Sequence, residues 1–74
     1  MRNEHLTAII GREDAGYVSL CPELDIASQG VTVEEARANL QEAVELFLEA
    51  ASATEVQGRL RSDVFITRIE VAVG

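Results

Sequence analysis

The chain has 74 residues, enough for one small domain and no second. A domain of this size buries only about 60% of its unfolded surface, so self-association is a natural way to add burial. Apolar residues make up 47% but aromatics only 4%, which requires an aliphatic core, and the net charge of −7, with no lysine, disfavours polyanions and suits a basic partner.

His5 to Arg12, "HLTAIIGR", alternates apolar side chains, with Leu6, Ala8 and Ile10 on one face, and reads as a strand. Asp14 and Gly16 in the following "EDAG" suit a hairpin turn. Tyr17 to Cys21 reads as a second strand, closed by Pro22, which cannot donate a ladder bond. Ile26 to Gly30 reads as a third.

Thr32 opens the strongest local signal. With Glu35 three residues on it fits a capping box, in which the hydroxyl accepts from the Glu35 amide and the Glu35 carboxylate reaches back. Apolar residues recur at Val33, Ala36, Leu40, Ala43, Val44, Phe47, Leu48 and Ala51, the spacing of an amphipathic helix. Glu34, Arg37, Gln41, Glu42, Glu45 and Glu49 fall on its other side. Residues 32–55 hold six acids and one arginine, so most of the negative charge lies there. Gly58 reads as a stop, and the β-branched run from Asp63 to Val73 as the last strand.

The order β-β-β-α-β defines an α+β fold, an antiparallel-rich sheet with one long amphipathic helix packed on one face. One helix covers one face only. Apolar positions on both faces of the first, second and last strands therefore point to association through a sheet edge or the uncovered face, giving a dimer or a tetramer.

No catalytic constellation emerges. His5 is the single histidine and reads as a surface residue. Lone Cys21 excludes an internal disulfide and, before Pro22, reads as a small buried hydrophobe. Glu13, Asp14, Glu23 and Asp25 fall in two loops that could meet at one end of the sheet. Clustered there they would form a Mg²⁺ site for a metal-dependent hydrolase, against the plainer reading as solvated turn acids. Arg59, Arg61 and Arg68 form the basic cluster, read as neutralising the helix acids. No cofactor, metal or catalytic residue is assigned. Nothing in the sequence approaches the roughly 20 apolar residues of a membrane span, no signal-peptide pattern opens it, and the cysteine usage favours the cytoplasm.

The block from Tyr17 through Pro22, Glu23, Leu24, Gly30, Thr32, Glu35, Ala36, Asn39, Glu42 and Ala43 resembles the HicB-like antitoxin family, and the element order matches over residues 1–74. That resemblance implies a partial ribonuclease H-like fold without its catalytic carboxylates. It also implies a module that neutralises a small basic HicA-type mRNA-cleaving toxin by masking it. The chain departs from many members at Val31, where an acid is common, and it ends at Gly74 without their C-terminal DNA-binding domain, so direct nucleic-acid binding is not expected. On this reading Glu42, Glu45 and Glu49 steer the partner, Tyr17 and Leu24 supply apolar contacts, and Thr32 and Glu35 cap the helix. The competing reading is an orphan HicB-like adaptor that self-associates without a toxin.

Overall fold

The computed structural model describes residues 4–60 and 64–74. Three antiparallel strands, β1 (Ile9–Glu13), β2 (Gly16–Cys21) and β3 (Ile26–Gly30), form a meander in that spatial order. Two helices follow, α1 (Val33–Ala50) and α2 (Ala53–Leu60). The architecture is α+β, with α1 lying across one face of the sheet.

Strand periodicity decides which face that is. Ser19 and Cys21 on β2 are buried, whereas Val18 and Leu20, which alternate with them, are exposed. The register sets Ile9 opposite Leu20 and Leu20 opposite Ala27, so these three share the uncovered face with Val18. On the covered face Cys21, Leu24 and Leu40 form the buried core, and Leu6, Ile26, Val44, Phe47 and Leu60 pack around them.

The start of α1 follows the capping signal. The Glu35 amide donates to Thr32 Oγ1 at 3.0 Å. The Glu35 carboxylate accepts from the Val31 amide at 2.8 Å, one residue upstream of the cap amide expected from the capping box. Two further bonds fix the helix on the sheet. The buried Ser19 hydroxyl donates to the Ala36 carbonyl at 2.9 Å, and Asn39 Nδ2 donates to the Gln29 carbonyl at 2.8 Å. Gly30 ends β3 directly against the first turn of α1, where a side chain would collide with helix backbone.

Three expectations change. First, β1 begins at Ile9, so the segment from His5 to Ala8 precedes the strand. Second, Gly58 does not stop a helix; it lies inside α2, which starts where the Ser52 hydroxyl accepts from the Glu55 amide at 3.1 Å. A serine cap with an acid in the first turn outweighs one interior glycine.

Third, the expected last strand is not formed: residues 64–74 carry neither helix nor strand, and Asp63 lies outside the described residues. β-Branched composition reports fitness for a pleated surface, but a strand exists only where a second strand supplies its ladder. The segment stays off the sheet, and the Cα radius of gyration is 14.3 Å, against roughly 11 Å for a compact chain of this length.

Candidate functional site

The second half of α1 carries Glu42, Glu45 and Glu49, all exposed. At 100° per residue they fall within a narrow stripe about 10 Å long. Among the described residues none of the three has an ion-pair partner; the recorded salt bridge joins Arg59 to Glu55 at 3.7 Å within α2. Arg59 also donates to the Leu24 carbonyl and stacks over the Phe47 ring at 4.7 Å. Its charge is thus spent fastening α2 to the core, not neutralising α1 as expected, and Arg61 lies outside the described residues.

The last member of the stripe opposes the helix's own electrostatics. Acids are favourable in the first turn, where Glu34 and Glu35 sit, and unfavourable in the last, where the carbonyls concentrate partial negative charge. The last turn of α1 contains Glu49 and no basic residue.

Beside the stripe, α1 presents apolar surface. Leu46 is 59% exposed and borders Glu42 and Glu49 on the helix surface. On the other flank Leu48 opens onto a groove of about 690 Å³ between α1 and the chain leading into β1, floored by Leu6, Leu40 and Val44 and rimmed by Arg37 and Glu45.

The two expected apolar contacts do not join this surface. Leu24 is 0% exposed, a core residue in the loop between β2 and β3, and cannot touch a partner. Its loop position concealed that role, because the loop folds inward to close the core. Tyr17 is half-buried at the far end of the sheet, where its hydroxyl accepts from Arg12 at 2.8 Å and the same guanidinium lies 5.4 Å from its ring centroid. It lines a second groove with Glu35 and Asn39, toward the start of α1.

The turn acids are separated. In a meander consecutive turns lie at opposite ends, so Glu13 and Asp14 stand about 17 Å, the length of β2, from Glu23 and Asp25. That separation contradicts the hydrolase premise of one shared carboxylate cluster. Asp14 (φ 52°) and Asp25 (φ 56°) occupy left-handed turn positions, which Asp tolerates better than most side chains.

Glu23 has a local structural role. Its carboxylate accepts from the Thr7 amide at 3.0 Å and the Thr7 hydroxyl at 2.6 Å. Partial desolvation opposes its charge, but these bonds outweigh it and hold the carboxyl below its ordinary pKa. Burial pushes the Cys21 thiol up, helped by its contact with Glu23, so Cys21 is a protonated core group as expected. Among the described residues no three His, Cys, Asp or Glu side chains converge on a metal position, and no helix is long and apolar enough to cross a membrane.

A UPF0150 protein of Synechocystis sp. is 50% identical over 46 residues, which span 60% of this chain and 64% of that relative. Another, from Helicobacter pylori, is 35% identical over 68 residues, spanning 90% of this chain and 94% of the relative. The chain belongs to the UPF0150 family. A second UPF0150 protein of Synechocystis is 38% identical over 69 residues, covering 90% and 86%. No family profile and no solved structure matches the chain. These UPF0150 names state no activity, so the function has to be argued from the surface.

In this UPF0150 chain the feature missed from sequence is the apolar flank of the stripe. Leu46 falls outside the apolar spacing of α1, between Glu42 and Glu49, whereas Leu48, set on the apolar side by that spacing, is 37% exposed at its edge.

Proposed function

We propose that the chain is a protein-binding module of the HicB-like kind, which neutralises a small basic HicA-type mRNA-cleaving toxin by masking it. The observation that carries this reading is the stripe of Glu42, Glu45 and Glu49, without a paired cation among the described residues and ending in Glu49, which is set against the helix dipole. A local rule broken at a cost in stability is the signature of a residue kept for another purpose. The residue resemblance over Tyr17 to Ala43 supplies the partner's class.

The three carboxylates form a polar rim that speeds encounter with a basic surface, while Leu46 and Leu48 supply apolar contacts that slow dissociation. The chain acts by occupancy, with no catalytic step, cofactor or nucleic-acid contact of its own. Its target would place it in the cytoplasm.

Co-expression with a small basic HicA-type reading frame, taken from beside this gene where one is found, tests this. The two proteins should co-purify and cellular mRNA should stay intact. A toxin that cleaves RNA fully beside a folded, abundant partner would overturn the proposal.

One observation favours the second reading, a self-associating adaptor without a toxin: residues 64–73 leave six large apolar side chains exposed. A genomic neighbourhood without a small basic reading frame would support it.

A further inference from the structure

The run from Val64 to Val73 is the part of the molecule whose sequence asks for more than the fold gives it. Its β-branched residues are suited to a strand, yet no ladder forms. Phe65 is 87% and Ile69 82% exposed, and Ile66, Val71 and Val73 are exposed with them. If the segment were paired as a strand, side chains would alternate between two faces. One face would carry Phe65, Thr67, Ile69, Val71 and Val73, and the other Val64, Ile66, Arg68, Glu70 and Ala72.

We infer that this segment pairs with the same segment of a second copy of the chain, antiparallel and centred on Ile69, so that the two-fold axis of a dimer passes between two Ile69 residues. The charges select that arrangement. An isologous antiparallel pair is defined by its centre, and each centre fixes what Arg68 and Glu70 face. Centred on Ile69, Arg68 of each copy lies opposite Glu70 of the other, on the same face, twice over. Centred on Arg68 or on Glu70, like charges meet on the axis. Centred between two residues, odd positions face even ones and the apolar face is broken. The Ile69 register alone opposes both charges while keeping the apolar face continuous, with Phe65 opposite Val73 and Thr67 opposite Val71. Opposite charges directly across a strand pair stabilise it and like charges destabilise it.

A two-stranded ribbon alone is marginal in water and needs an apolar surface to lie against. The uncovered sheet face supplies one in each copy, with Ile9, Val18 and Leu20 exposed there. The pairing also satisfies those backbone groups of residues 64–73 that face the partner strand, which otherwise lie outside any ladder. This interface is distinct from the acidic stripe on α1 and does not depend on any toxin.

Sedimentation equilibrium on the full chain tests it, with circular dichroism confirming that each variant stays folded. The wild type should be a dimer. Arg68→Glu and Glu70→Arg should each weaken association by roughly tenfold or more, and the double variant should restore it. A general charge effect would instead send the single variants in opposite directions, since one makes the chain more acidic and the other less. Paired residues across an antiparallel ladder lie about 4.5–5.5 Å apart, within disulfide reach. Ile69→Cys should therefore cross-link to its counterpart on oxidation, while buried Cys21 stays reduced. A monomeric wild type, single variants that shift association in opposite directions, or a double variant no better than the singles would each overturn the proposal.

Discussion

A Cβ atom at Gly30 would stand 2.4 Å from the backbone nitrogen of Ala36. The contact is backbone against backbone, with no flexible side chain to move aside, so any larger residue must separate β3 from α1. Gly30→Ala should cost about 1–3 kcal/mol, the usual penalty for overpacking, read as a lower urea midpoint. Gly11 has open space around it, and Gly11→Ala should leave the midpoint close to wild type. Equal midpoints for both variants would refute the close approach.

The Thr32 cap gives a second expectation. Thr32→Ala removes the acceptor for the Glu35 amide and should cost about 1 kcal/mol, lowering Tm by about 4–8 °C in a domain of this size. Thr32→Ser, which keeps the hydroxyl, should lose much less. Indistinguishable Tm values for the two variants would contradict the cap.

Acid stability should depend on the pair Thr7 and Glu23. Because the folded protein holds the Glu23 carboxyl below its ordinary pKa, its contribution is complete above the unfolded value of about 4.3 and is lost as pH falls through the lower folded value. Thr7→Ala removes the hydroxyl bond, so the Glu23 carboxyl, followed by NMR, should titrate at higher pH than in the wild type. An unchanged titration would mean that the hydroxyl bond does not hold the charge.

Glu49 should trade stability against binding. Glu49→Lys places a cation in a last turn that has none and should raise Tm by about 2–4 °C at low ionic strength, an effect that salt removes. The same change should weaken capture of a basic partner. A lowered Tm would show that Glu49 is held by contacts rather than exposed against the dipole.

The legible parts of the fold were those written in local chemistry. Thr32 with Glu35 marked the start of α1, the strand alternation marked β2 and β3, and the lone Cys21 before Pro22 was rightly read as core. The failures are non-local. Val64 to Val73 has the composition of a strand, but composition does not say whether an edge is within reach of the same chain. Leu24 looks like a loop residue, and only the cluster it forms with Cys21 and Leu40 reveals a core position. The acidic stripe was visible from helical spacing, whereas the exposure of Leu46 within it required the position of the sheet.

The central claim is that Glu42, Glu45 and Glu49 steer a basic protein onto α1, and association kinetics measure it directly. The on-rate for the purified, catalytically disarmed basic partner would be followed across ionic strength for the wild type and for the triple variant Glu42→Gln, Glu45→Gln, Glu49→Gln. The wild-type rate should fall steeply as salt rises, and the variant should bind about tenfold more slowly with a flattened dependence, the dissociation rate changing less. Equal on-rates and equal salt slopes for the two proteins would contradict the account.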